Sequence, residues 1–170
     1  METAQSSENE ISAQAKSAGK NVSILVVEDD PDDYKAIFRL LSKIGGYSIR
    51  TTRAPSGFDA RNSLSRCSFD VVIADYRLGR ETGVEVITSI TRQRSDIGPI
   101  LVTRCLSPEV QQAALNAGAV HCIDKDELSV TILESAIRTA IHKVLQQYVH
   151  GAFQDYAEET SGGERSNWLH

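Results

Sequence analysis

The 170-residue sequence predicts an α/β domain in which five βα units build a doubly wound sheet of five parallel strands, in the order 2-1-3-4-5. Three observations carry this expectation. Short apolar runs alternate strictly with segments that repeat apolar residues at helical spacing, and such alternation yields a parallel sheet covered by helices on both faces. The runs at 24–27 (ILVV) and 71–74 (VVIA) are continuously apolar, as strands buried on both faces must be. Right-handed crossovers leave few topologies, and the doubly wound order makes those two strands central neighbours.

Each element has its own signal. Residues 23–28 (SILVVE) form the first strand. Residues 34–44 carry Ile37, Leu40, Leu41 and Ile44 at helical spacing and close on Gly45 and Gly46. Residues 47–53 alternate weakly and read as a shorter, edge-like strand. Pro55 and Ser56 open a helix through about Arg66, with Phe58, Ala60 and Leu64 as its inward positions. Residues 70–75 (DVVIAD) are the third strand, and Val84, Val86, Ile87 and Ile90 mark the helix that follows, up to about Arg94. Residues 99–103 (PILVT) are the fourth strand; Ser107 and Pro108 then start a helix that reaches Asn116 and stops at Gly118. Residues 120–123 are the last strand, and residues 129–148 the last helix, with Ile132, Leu133, Ile137, Ile141, Val144 and Leu145 facing inward.

One domain is therefore expected over residues 22–148, between two polar ends. Residues 1–21 have almost nothing to bury and are expected to be a disordered arm, and residues 149–170, with Gly162 and Gly163, a flexible tail. A net charge of −5 without a basic stripe argues against a nucleic-acid binder. No apolar run is long enough to span a membrane, and the N-terminus lacks the apolar core of a signal peptide, so a cytoplasmic protein is expected. Cys67, Cys105 and Cys122 are an odd count at wide spacing and read as reduced, buried thiols.

Function in an open parallel sheet gathers at the carboxyl ends of its strands. Here the first strand ends in Glu28, Asp29 and Asp30, the third in Asp75 and the fourth in Thr103, while Lys125 follows the fifth. Adjacent strands lie about 4.8 Å apart, so Asp29 and Asp75 can share a small cation. Carboxylates so close repel unless a metal neutralises them, and oxygen ligands at few positions suit Mg²⁺. Asp30, Asp32 and Asp33 read instead as acidic residues favouring the start of the first helix.

These residues carry a resemblance. Residues 24–29 (ILVVED), 54–60 (APSGFDA), 70–78 (DVVIADYRL) followed by Gly83, 99–103 (PILVT) and 118–125 (GAVHCIDK) stand in order. Over about residues 22–146 the sequence resembles the receiver domain of bacterial two-component response regulators, a flavodoxin-like fold. The resemblance implies that Asp75 is the phosphoryl acceptor, a carboxylate nucleophile. It implies Mg²⁺ held by Asp29, by Glu28 largely through water, by Asp75 and by the backbone carbonyl of Arg77. Thr103 matches the hydroxyl that moves to the phosphoryl group, and Lys125 the lysine that pairs with a phosphoryl oxygen. The implied partners are a sensor histidine kinase or histidine phosphotransferase, and a downstream protein on the face of the fourth helix, fifth strand and fifth helix. The residues beyond 148 leave no room for an output domain, so a stand-alone regulator is expected, one that catalyses only its own phosphoryl transfer and hydrolysis. The extended last helix also offers a homodimer contact.

Four positions depart from the family pattern. Arg104 replaces the usual small residue after Thr103, leaving three placements open: narrowing the pocket, pairing with phosphate, or pointing to solvent. Cys122 stands where an aromatic ring reports phosphorylation. Asp126 replaces the proline after the lysine, and can draw Lys125 aside. Gly79 replaces a proline and is expected to loosen its loop. These departures favour, as the alternative, a pseudo-receiver: a binding module indifferent to phosphate. A haloacid-dehalogenase-like phosphatase needs an acid two residues past the nucleophile, where Arg77 stands.

Overall fold

The computed structural model describes residues 20–161, with side chains through residue 146 and at residue 149. Five parallel strands form one sheet: β1 (Lys20–Val27), β2 (Tyr47–Ala54), β3 (Val71–Asp75), β4 (Gly98–Thr103) and β5 (His121–Asp124), in the order β2-β1-β3-β4-β5. Between and after them run α1 (Pro31–Leu41), α2 (Gly57–Arg66), α3 (Gly83–Thr91), α4 (Pro108–Asn116) and α5 (Val130–Ser161). This is the doubly wound order expected from the sequence.

The parity of each strand explains its unbroken hydrophobicity. Ile24 and Val26 of β1, Val71 and Ile73 of β3, and Ile100 and Val102 of β4 meet Ile37 and Leu41 of α1 and Leu133 and Ile137 of α5. Their neighbours Leu25, Val27, Val72, Ala74 and Leu101 point the other way, onto Ala60 of α2, Val86, Ile87 and Ile90 of α3 and Ala114 of α4. Both faces are covered, so no strand residue in the centre can be polar until the chain leaves the sheet. Parallel register then brings the strand ends level: Val27 pairs with Ala74, and Asp75 with Val102.

Local signals fix where the helices begin. Asp30 caps α1, its carboxylate accepting from the backbone N–H groups of Asp32 (2.7 Å) and Asp33 (3.1 Å), with Pro31 as the first helical residue. Ser56 caps α2, and Thr82 with Glu85 forms a reciprocal capping box on α3. Ser107 caps α4.

Several expectations need correction. β2 is an edge strand but not a short one, pairing with β1 from Lys20↔Tyr47 to Val27↔Ala54. Phe58 is 70% exposed, because the cap at Ser56 turns Gly57 and Ala60 to the core and Phe58 outward. Cys67 is exposed, and Cys105 and Cys122 are partly buried. The last helix does not end near Tyr148 but continues to Ser161, so the expected boundary at 148 falls inside α5. Residue 151 is a single glycine, worth roughly 1 kcal/mol against a helix, which is too little by itself to end one. Residues 1–19 of the expected arm and 162–170 of the expected tail, Trp168 among them, lie outside the described residues. No described helix is long and apolar enough to cross a membrane.

Candidate functional site

At the carboxyl edge of the sheet an open cavity of about 460 Å³ is lined by Glu28, Asp29, Asp33, Asp75, Arg77, Thr103, Arg104 and Lys125, among others. Glu28 continues the parity of Ile24 and Val26, and Asp75 that of Val71 and Ile73, so both carboxylates lean toward the side of the sheet that carries α1. Glu28, Asp29 and Asp75 each offer a carboxylate oxygen, all within 4.8 Å of one another. Three hard oxygen donors so placed, with open space beside them, fit a Mg²⁺ ion that keeps several waters.

Lys125 begins a short 3-10 turn (Lys125–Glu127) directly after β5 and reaches back across the sheet edge. Its ammonium donates to Glu28 Oε2 at 2.7 Å and to Asp33 Oδ2 at 2.8 Å, and lies 3.4 Å from Asp75 Oδ1. Burial works against its charge, but the hydrogen bonds to Asp33 and Glu28 and the nearby charges of Asp75 and Glu28 together outweigh burial and raise its pKa. Burial also raises the Glu28 carboxyl, and the Lys125 hydrogen bond offsets part of that rise. Asp126 does not draw Lys125 away: its N–H bonds to the Asp124 carboxylate (2.9 Å), and the Lys125–Asp126 peptide is trans.

Thr103 is buried at the end of β4, its hydroxyl oxygen accepting the Cys105 N–H at 3.1 Å. Arg77 opens a two-residue strand (Arg77–Leu78) that pairs with Glu81–Thr82 as a hairpin beside the cavity. Gly79 forms the turn of this hairpin. It sits at φ +67°, the conformation that a two-residue hairpin turn demands and proline cannot adopt. Cys122 is a half-buried apolar side chain against the α2–α4 side of the core, and burial pushes its thiol pKa up. Gly83 is required where α3 starts, since a Cβ there would overlap the Asp75 carbonyl.

Two functional candidates escaped the sequence reading. Asp33, one turn into α1, is not merely a helix-start acid. Arg104 grips it with both nitrogens, Nη1 to Oδ2 and Nη2 to Oδ1, each at 2.7 Å, and Lys125 shares Oδ2. The Arg104 hydrogen bonds are the main cause that holds the Asp33 carboxyl at about 2. Of the three placements open for Arg104, the structure agrees with the first: it lines the cavity and is tied across its rim to α1. The available signal was two cations, Arg104 and Lys125, just beyond adjacent strand ends, with Asp32 and Asp33 in the first turn of the nearest helix. The second candidate is Arg53 of β2. Its guanidinium donates to the backbone carbonyls of Glu28 (3.2 Å) and Asp29 (2.7 Å) and stacks on Tyr34 at 5.4 Å, bracing the loop that holds both acids.

Comparison with known proteins agrees with this geometry. The transcriptional regulatory protein ZraR of Klebsiella oxytoca is 28% identical over 128 residues, 73% of this chain but 28% of that protein. The sensor histidine kinase RcsC of Escherichia coli is 32% identical over 112 residues, 65% of this chain and 11% of that one. The chain thus spans about a quarter of one relative and about a tenth of the other. Among solved structures, a response regulator receiver domain protein from Clostridium thermocellum superposes with a TM-score of 0.64 at 24% identity, covering 72% of this chain and 95% of its own. The BeF₃-activated DrrB receiver domain does so with a TM-score of 0.61 at 26% identity, covering 71% and 97%. Residues 24–138 match the response regulator receiver domain, well over half of the sequence, and the chain belongs to that family.

Proposed function

We propose that this domain accepts a phosphoryl group on Asp75 in a Mg²⁺-dependent reaction and signals through protein contact. Membership of the family implies phosphorylation-based signalling by a domain that is generally not an enzyme, and receiver domains are phosphorylated by histidine kinases. The observation that carries the reading is the convergence of Asp75, two further carboxylates and Lys125 at one sheet edge.

The roles follow from position. Asp75 is the nucleophile: a carboxylate oxygen attacks phosphorus, the bond from phosphorus to the donor breaks, and an acyl phosphate forms. Asp29, Glu28, Asp75 and the Arg77 carbonyl are the proposed metal ligands, and the bound ion supplies charge neutralisation for the transferring group. Lys125, 3.4 Å from Asp75, supplies the second positive charge once it turns from its present carboxylate partners to a phosphoryl oxygen. Thr103, at the adjacent strand end, offers the hydroxyl hydrogen for another. The proposed donor is a sensor histidine kinase or histidine phosphotransferase, met in the cytoplasm. Turnover is limited to the domain's own phosphoryl transfer and hydrolysis. The proposed output face is α4–β5–α5, where phosphorylation shifts a two-state equilibrium toward one partner.

Incubation with a small acyl-phosphate donor and Mg²⁺, read by intact mass, tests the reading. One phosphoryl group on the wild type and none on Asp75→Ala is the expected result. No uptake by the wild type would overturn it and favour a phosphate-indifferent binding module; equal uptake by the variant would overturn Asp75 as the acceptor.

A further inference from the structure

We infer that Arg104 is a positioning residue for phosphoryl transfer: by taking the larger share of Asp33 it loosens that acid's hold on Lys125, which has to serve Asp75. The inference rests on the phosphoacceptor reading above and concerns how this chain sets the position of its lysine.

The geometry is a competition for one carboxylate. Asp33 projects from α1 to the cavity rim, and its Oδ2 accepts from both Lys125 (2.8 Å) and Arg104 (2.7 Å). Oδ1 accepts from Arg104 alone, also at 2.7 Å. A forked, coplanar guanidinium binds a carboxylate through two parallel hydrogen bonds, whereas an ammonium is a point charge. Arg104 therefore takes the larger share of Asp33. Lys125 is at once held by Glu28 at 2.7 Å and stands only 3.4 Å from Asp75. A phosphoryl group on Asp75 has to win this ammonium from its two closer partners. Without Arg104, Asp33 would present both oxygens to Lys125 alone and hold it more firmly at the α1 side.

The two residues offset one another. An acid at position 33 is a trap for Lys125, and a cation at position 104 neutralises the trap. The Arg104 side chain is 59% exposed, so its pairing with Asp33 outweighs any packing role. It touches neither the acceptor nor the metal-binding acids among the described contacts.

The test measures the rate of Asp75 phosphorylation by a small acyl-phosphate donor with Mg²⁺ in four proteins. Arg104→Ala should slow uptake roughly three- to tenfold relative to wild type. Asp33→Asn alone should react at least as fast as wild type. Adding Asp33→Asn to Arg104→Ala should restore the rate to within roughly twofold of Asp33→Asn alone, because the trap is gone. Arg104→Lys, with charge but no fork, should fall between wild type and Arg104→Ala. An Arg104→Ala protein as fast as wild type, or faster, overturns the inference while leaving the phosphoacceptor reading intact. So does a double variant as slow as Arg104→Ala, since Arg104 would then act on the donor or on phosphate directly. A wild type that takes no phosphoryl group on Asp75 overturns the underlying reading instead, and this inference with it.

Discussion

Replacing Lys125 with methionine asks whether the lysine is what keeps Glu28 ionised inside the domain. The Lys125 side chain is 6% exposed and that of Glu28 1%, and their charged atoms are 2.7 Å apart. Methionine keeps an unbranched apolar stem and removes the charge. Glu28, Asp33 and Asp75 lose their shared cation, and Glu28 is the one most cut off from water. Burial already raises the Glu28 carboxyl, and the Lys125 hydrogen bond is the largest effect opposing it, so the variant's Glu28 rises further. A carboxyl whose folded pKa lies above its unfolded value binds protons more tightly in the folded state. Stability is then intact below the unfolded value, near 4.5, and is lost as pH rises through the folded one.

Removing one partner of a buried pair costs about 3–5 kcal/mol. Protonation of Glu28 relieves part of that, so a loss of about 3 kcal/mol is expected near neutral to alkaline pH in EDTA, or roughly 10 °C in melting temperature. The loss should shrink as pH falls toward the unfolded value, as Glu28 takes up its proton. Added Mg²⁺ should recover part of the alkaline loss, and more than it gives the wild type, because a cation on Glu28, Asp29 and Asp75 replaces the missing charge. Circular-dichroism melts across pH, in EDTA and in Mg²⁺, measure all three. A variant that melts within about 2 °C of wild type in alkaline EDTA, or whose loss is the same at every pH, refutes the account of Lys125 as the counter-charge of Glu28.

Three further outcomes are expected. Arg53→Ala removes the guanidinium from the Glu28 and Asp29 carbonyls, and Mg²⁺ affinity should fall roughly tenfold by calorimetric titration; an unchanged affinity would show that the loop holds itself. Gly83→Ala places a methyl group against the Asp75 carbonyl and should cost about 1–3 kcal/mol in denaturant unfolding, whereas a loss under about 0.5 kcal/mol would mean that α3 can back away. The Asp33 carboxyl should titrate at about 2 by NMR and move part of the way toward 3.8 in Arg104→Ala. Its folded value is the lower one, so the stability it contributes is present above 3.8 and fades as pH falls toward 2; an ordinary wild-type value would contradict the forked pair.

The parts legible in the sequence are those set by periodicity and strand ends. Residues 24–27 and 71–74 are apolar without interruption because helices cover both faces, and with right-handed crossovers that pattern puts both strands at the centre of the sheet. Glu28, Asp29, Asp75 and Thr103 were visible because each closes a strand whose position in the sheet was already implied, and Lys125 because it follows one directly. Asp33, Arg53 and Arg104 were not visible in their roles. Each lies off the strand-end pattern or acts through long side-chain reach: Asp33 a turn into a helix, Arg53 on the edge strand, Arg104 past the buried threonine. Whether such side chains meet depends on how α1 packs on the sheet, which local sequence does not encode. The end of α5 was misplaced for a related reason, since a single glycine among helix formers weakens a helix without ending it.

The departures at positions 104 and 126 favour, in the sequence, a pseudo-receiver, and the charges in the structure argue otherwise. Asp126 spends its backbone on a local turn with Asp124 and leaves Lys125 alone. Arg104 is matched by Asp33, so the pair adds no net charge to the rim and ties the loop after β4 to α1. What stays unbalanced lies elsewhere. Glu28, Asp33 and Asp75 all draw on the single ammonium of Lys125, and Asp29 makes no ion pair among the described residues. A module indifferent to phosphate gains nothing from three carboxylates with oxygens within 4.8 Å of one another, whose repulsion weakens the fold at every pH at which they are ionised. A divalent cation turns that repulsion into binding. The excess of acid at the sheet edge is therefore a stronger guide to the chemistry than the unusual residues around it, and it favours a metal-assisted phosphoacceptor over a pseudo-receiver.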